Sequence, residues 1–167
     1  MSRKYEDGYA VVEPINIAAV RTGRMISQYK GGTDKLENGM ILQINHAEEE
    51  VSKPASEDYA TGVFGLHWSE ERLYKNALGR KDFVLDPTVD TPRVLILEEA
   101  DRFETNAVDD GGINFDDAVY GVPHSSGLIE LKEGTLDLDN YSVVLEIVKE
   151  VDLPNEGKGI RFAVLKA

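Results

Sequence analysis

The sequence contains no cysteine among its 167 residues. Disulfide bonds, thiolate metal sites and cysteine nucleophiles are therefore excluded. It also lacks an apolar run near the ~18–20 residues that a membrane-spanning helix needs, since Glu13, Pro14 and Asn16 interrupt the N-terminal apolar stretch. We expect neither a membrane partner nor a signal peptide.

Basic residues are scarce in one part of the chain. Residues 99–156 hold 3 basic and 15 acidic residues, in a protein of net charge −13, whereas residues 1–47 hold 6 basic and 5 acidic residues. A strongly acidic surface repels nucleic-acid phosphates, so we expect no nucleic-acid partner. The N-terminal part is where an acidic partner surface, or the acidic segment of a neighbouring copy of this protein, would bind most favourably.

Short apolar segments separated by turn residues recur every 8–15 residues. This spacing with little helical periodicity predicts an all-β fold, a β-sandwich or β-barrel-like domain. One short helix is favoured at Ser69–Gly79, where Ser69 is a suitable N-cap and Gly79 a natural stop. The predicted strands cover residues 36–44, 59–68, 93–98, 101–106, 119–122, 128–131, 141–151 and 160–165.

Residues 1–35 are predicted to form an extended N-terminal arm in front of a β-rich domain of residues 36–167. The stretch Tyr9–Val20 carries a single charge, and Pro14 prevents a regular helix there. It favours either an edge strand in the domain's own core or an arm that binds a partner or a neighbouring subunit. The residues predicted to bind are Val11, Val12, Ile15, Ile17 and Val20, with Arg21 and Arg24 as complementary charges at the rim.

No residue pattern indicates an enzyme or a cofactor. The three histidines, His46, His67 and His124, are not at metal-ligand spacing. An acidic loop offers oxygen ligands for a cation but departs from EF-hand spacing; its residues are Asp109, Asp110, Asn114, Asp116 and Asp117. The alternative interpretation is a carbohydrate- or calcium-binding β-domain, or a β-barrel enzyme, that uses this acidic loop and an aromatic face including Tyr59 and Trp68.

Three segments carry a resemblance to a known family: Leu36-Glu-Asn-Gly39, the strand region of residues 93–106, and the terminal strand of residues 159–165. With an extended segment before them, they resemble the small decoration proteins (cement or head-fibre-base type) on the capsids of tailed bacteriophages. The likeness covers most of the chain from Tyr9 onward. It implies a non-enzymatic virion protein, made in the host cytoplasm, that binds the major capsid protein on the capsid exterior, often as a homotrimer, and stiffens the shell.

Overall fold

The computed structural model describes residues 3–5, 8–17, 24–71, 79–154 and 156–167. It confirms the predicted fold class: the chain is all-β, with 43% strand and two curled sheets in a sandwich or half-barrel-like arrangement. The described helical segments are four 3₁₀ turns, at Ser56–Asp58, Arg80–Asp82, Phe115–Asp117 and Leu138–Asn140. Most of the predicted helix at Ser69–Gly79 lies outside the described residues.

The described strands number thirteen. They are β1 Val12–Asn16, β2 Met25–Ile26, β3 Lys30–Gly31, β4 Ile41–Asn45, β5 Glu50–Ser52, β6 Val63–His67, β7 Val94–Ile96, β8 Arg102–Thr105, β9 Val108–Asp109, β10 Ala118–Pro123, β11 Ile129–Glu133, β12 Val144–Leu153 and β13 Gly157–Lys166. Each of the eight predicted strands has an observed counterpart, with shifted ends. The two-residue strands and β5 were not predicted, because they are too short or too polar to show a period.

The two sheets come from different parts of the chain. The six-stranded sheet, in the order β2-β7-β6-β4-β5-β3, uses strands between Met25 and Ile96. The seven-stranded sheet, in the order β1-β8-β13-β12-β10-β11-β9, combines the N-terminal strand with strands that follow Asp101. Strands β1 and β8 are neighbours in the sheet, but all six strands of the six-stranded sheet lie between them in the sequence.

Strand β4, in the middle of the six-stranded sheet, is covered on both faces, which explains the nearly continuous apolar run Met40–Ile44. Ile41 packs in a core cluster with Phe103 and Phe162 of the seven-stranded sheet. Leu42 packs in a second cluster with Leu85. Alternate residues of β4 therefore serve two separate cores, as expected for a strand covered on both sides.

A tight turn precedes β4, as Asn38-Gly39 predicts. Gly39 has a φ of +88°, and the Met40 N–H donates to the Glu37 carbonyl at 3.3 Å. A β-carbon at Gly39 would lie 2.0 Å from Thr105 Oγ1, so only glycine fits. The turn thereby brings the start of β4 close to β8 of the seven-stranded sheet.

Candidate partner-binding surface

Strand β1 is an edge strand whose first residues lie in this chain's own core. It pairs antiparallel with β8, with Val12 opposite Thr105. The Val11 N–H donates to Asn106 Oδ1 at 2.7 Å, and Thr105 Oγ1 donates to the Val11 carbonyl at 2.6 Å. Both valines are fully buried. These bonds satisfy the backbone of the strand where it enters the core.

The residues predicted to bind a partner differ in their exposure to solvent. Val11 and Val12 pack inside the chain, so they could reach a partner only if β1 left its sheet. Ile15 is 48% exposed, and Ile17 packs at the margin of the larger core cluster. Val20 and Arg21 lie outside the described residues. Of the apolar members described, Ile15 is therefore the one most available to another molecule.

Arg24 is engaged within the chain rather than at an exposed rim. Its Nη1 lies 2.8 Å from Asp101 Oδ2, and both side chains are about nine-tenths buried. The same nitrogen donates to the Ile96 carbonyl at 3.0 Å. The hydrogen bond to Asp101 raises the pKa of Arg24 above its ordinary value, so its guanidinium stays charged. This pair ties the end of β7 to the segment before β8.

The described part of residues 1–35 is built into the domain. Strand β1 belongs to the seven-stranded sheet, while β2 and β3 form the two edges of the six-stranded sheet. Near the N-terminus, Arg3 Nη2 binds Glu37 Oε2 at 2.6 Å. A partner would therefore meet a surface that this segment helps to form.

Arg80 covers the outer edge of β1. Its Nη2 donates to the Val12 carbonyl at 2.8 Å, its Nη1 binds Glu13, and its Nε lies 3.0 Å from Glu71 Oε1. Burial alone would lower the pKa of Arg80, but the hydrogen bonds to Glu13 and Glu71 raise it above its ordinary value. Pro14 supplies no N–H beside it. The edge is thus poorly suited to adding a further strand, and a partner would bind through side chains.

An open cleft of about 400 Å³ lies between this edge and the ends of β6 and β7. Pro14, Trp68, Arg80 and Arg93 are among its lining residues. The Arg93 guanidinium carbon lies 5.6 Å from the centre of the Trp68 ring, a cation–π arrangement. Tryptophan and arginine are the residue types most enriched at the energetic centres of protein interfaces.

A buried hydrogen-bond network holds Ser69, one of the residues that line the cleft. His67 Nδ1 donates to the Glu37 carbonyl at 2.7 Å, and its Nε2 accepts from Ser69 Oγ at 2.8 Å. Asn38 forms two bonds with the Ser69 backbone, at 2.8 and 3.0 Å. Burial lowers the pKa of His67 to about 4, which keeps its imidazole neutral. Trp68 stands between two anchored residues, so its position is well defined.

Side chains of the acidic loop accept hydrogen bonds from the loop's own backbone. Asp109 Oδ1 accepts from the Gly111 N–H at 3.0 Å, and Asp110 Oδ1 accepts from the Gly112 N–H at 2.9 Å. Asn114 caps the 3₁₀ turn that contains Asp116 and Asp117. Within the described ranges, no three His, Asp or Glu side chains are grouped to hold a metal ion. Asp109, Asp110 and Asn114 thus close turns.

Sequence reasoning did not single out Arg80 or Arg93, and it considered Trp68 only as part of an aromatic sugar-binding face. In the structure Tyr59 stacks on Tyr141, and Trp68 packs with Arg93. The pairing of Glu13 with Arg80 joins residues 67 positions apart. No local pattern signals a contact at that separation.

Comparisons with protein-family models, with curated proteins and with solved structures found no match. Across the part of the chain that the structure describes, no helix has the length and apolar character needed to cross a membrane.

Proposed function

We propose that this protein is a non-enzymatic structural virion protein that binds the exterior of a tailed-phage capsid and stabilises it. Its partners are the major capsid protein and further copies of itself in a homotrimer. The family and the trimeric state rest on the resemblance of residues 36–39, 93–106 and 159–165 to decoration proteins. The all-β sandwich supports a rigid binding role of this kind.

The observation that carries the proposal is the surface beside β1. It combines an open cleft of about 400 Å³, the Trp68–Arg93 pair in its lining, and exposed Ile15, which follows the lining residue Pro14 in β1. An apolar centre with tryptophan and arginine anchors, framed by charged groups, is the usual composition of a protein-binding site. We call Ile15, Trp68 and Arg93 the docking surface.

The uneven charge supports the same role. Residues 99–156 carry a net charge of −12. Most of them lie in the seven-stranded sheet and its loops, where acidic side chains such as Glu146 and Asp152 are exposed. A high net charge keeps a protein soluble when many copies are displayed close together. The docking surface, by contrast, includes the half-buried cation Arg93.

The test is co-sedimentation with capsids assembled from the major capsid protein of the genome that encodes this chain. We expect wild-type protein to bind at a fixed number of copies per capsid. Replacing Ile15 with glutamate places a charge on the exposed part of β1 next to the cleft residue Pro14 and should weaken binding by about tenfold or more. Because Ile15 is half exposed, this change should leave the fold intact.

Val63→Glu is the matched control, since Val63 is 42% exposed and is not part of the docking surface. It should bind capsids as the wild type does. Equal binding by Ile15→Glu and wild type would exclude the docking surface as the contact. Absence of a capsid gene from the encoding genome, or of any capsid binding, would reject the function itself.

A further inference from the structure

Arg93 differs from the other half-buried or buried arginines of the described chain. Arg3, Arg24, Arg80 and Arg161 each form a salt bridge with a carboxylate. Arg93 forms none with the residues that the structure describes; its polar side-chain contact is with Met25 Sδ, 3.2 Å from Nη2. In a protein with 31 acidic and 18 basic residues, a guanidinium left in this state is unusual.

The carboxylates of the cleft are committed elsewhere. Glu13 and Glu71 both bind Arg80, which also donates to the Val12 carbonyl. Glu70 is exposed at the rim and has its own interaction. The guanidinium of Arg93, held against the Trp68 ring, therefore has donors to offer to a group from outside.

We propose that the cleft receives an acidic side chain of the protein partner, with its carboxylate bound to the Arg93 guanidinium. The apolar part of the partner's segment packs against Trp68 and Pro14. This inference rests on the proposed function in that it names the partner's chemistry at the same surface. A planar guanidinium binds a carboxylate with two parallel hydrogen bonds. The cation–π contact with Trp68 keeps the Arg93 guanidinium beside the indole.

The geometry favours a carboxylate on a protein segment over a free anion. Trp68 and Pro14 are apolar members of the cleft's lining, which also includes Arg93, and exposed Ile15 follows Pro14 in the chain. Apolar area beside one guanidinium matches an acidic residue with apolar neighbours. The cleft's volume of about 400 Å³ admits such a segment.

The chain contains one tryptophan, so fluorescence of Trp68 reports on the cleft directly. The probe is a blocked pentapeptide with one glutamate between two leucines, compared with the same peptide carrying glutamine. We expect saturable changes in fluorescence and binding of the glutamate peptide about ten- to a hundredfold tighter than the glutamine peptide. Added salt should reduce that preference.

Arg93→Gln should remove the preference for glutamate, and Arg93→Lys should retain a reduced preference, because lysine keeps the charge but loses the paired donors. Arg102→Gln is the matched control, since exposed Arg102 also forms no salt bridge within the described residues and lies on β8. It should behave as wild type. Circular dichroism establishes that each variant is folded; if Arg93→Gln is not, Arg93→Lys decides.

The proposal is overturned if neither peptide binds, if both bind equally to the wild type, or if Arg102→Gln loses the preference as Arg93→Gln does. This experiment contains no capsid. A chain that prefers the glutamate peptide but ignores capsids would keep the carboxylate site and lose the virion role. A chain that binds capsids without this preference would keep the role and lose the site.

Discussion

His67 illustrates how the interior of this protein controls a titratable residue. Its ring is fully buried, and both nitrogens have partners, the Glu37 carbonyl and the Ser69 hydroxyl. A carbonyl can only accept, so Nδ1 carries the proton and Nε2 accepts. Protonation would place an unsolvated charge there, and desolvation lowers the pKa to about 4.

Acid should therefore destabilise the fold through His67. The unfolded chain binds a proton at its ordinary pKa of about 6.5, whereas the folded chain binds one only near 4. The stabilisation is present above pH ~6.5 and is lost as the pH falls toward 4, in total about 3 kcal/mol from this group. Urea unfolding at a series of pH values measures it.

His67→Gln should lack this part of the pH dependence, although it is less stable than the wild type at neutral pH. Exposed His46 provides the control, and His46→Gln should follow the wild-type slope. A His67→Gln variant with the same slope as the wild type between pH 6.5 and 4 would contradict the assigned burial effect.

Substitutions at three glycines should distinguish the cost of a positive φ from the cost of a steric clash at the β-carbon. Gly39 has φ +88° and no room for a β-carbon, Gly157 has φ +85° with open space, and Gly32 has open space and no positive φ. Substitution by alanine should lower the free energy of unfolding by at least about 2–3 kcal/mol at Gly39, by about 1 kcal/mol at Gly157 and by less than about 0.5 kcal/mol at Gly32. Any other order in chemical denaturation would be incompatible with the described turns.

At the residue scale, the sequence predicted conformations but not contacts. Asn38-Gly39 indicated a turn with positive φ, and Gly39 adopts one. That Gly39 lies against Thr105 could not be predicted, because the two residues are far apart in the sequence. The Arg24–Asp101 pair was missed for the same reason, and Arg24 was predicted at a rim although it is buried.

At the scale of elements, β1 connects the fold to the candidate site. Its first half is core and its outer edge is covered by Arg80, while Ile15 is exposed. Pro14 favours an edge strand, which is one of the two interpretations of the stretch Tyr9–Val20. The pairing with β8 could not be predicted, because a complete six-stranded sheet lies between the two strands in sequence.

The two halves of β1 should respond differently to alanine. Val12→Ala removes buried methyl groups from the core and should lower the free energy of unfolding by about 2 kcal/mol. Ile15→Ala should change it by less than about 0.5 kcal/mol, because nearly half of the side chain is exposed. Equal and small effects at both positions would show that β1 is not part of the core.

Deleting residues 1–24 would remove β1 altogether. Because that deletion would also remove buried residues of the core, it is a poor test of partner binding.

At the scale of the whole molecule, composition and periodicity were enough to predict an all-β fold. The eight predicted strands had counterparts because each is long and apolar enough to show its period. The cleft was beyond prediction, since it brings together residues near positions 14, 68, 80 and 93. Sites assembled from distant segments depend on topology, which local patterns do not determine.

The charge distribution acquires a spatial meaning at this scale. The acidic residues 99–156 build most of the seven-stranded sheet, and the docking surface lies where the edge of that sheet meets the other. A subunit held through this surface would direct much of its negative charge toward solvent or neighbouring copies. That orientation favours spaced attachment over aggregation.

A cryo-electron microscopy reconstruction of the capsid with and without this protein tests the proposed function directly. We expect additional density on the outer surface, arranged in threes, in which Ile15, Trp68 and Arg93 face the major capsid protein. Density inside the shell, no added density at saturating protein, or attachment through a face remote from these residues would contradict it.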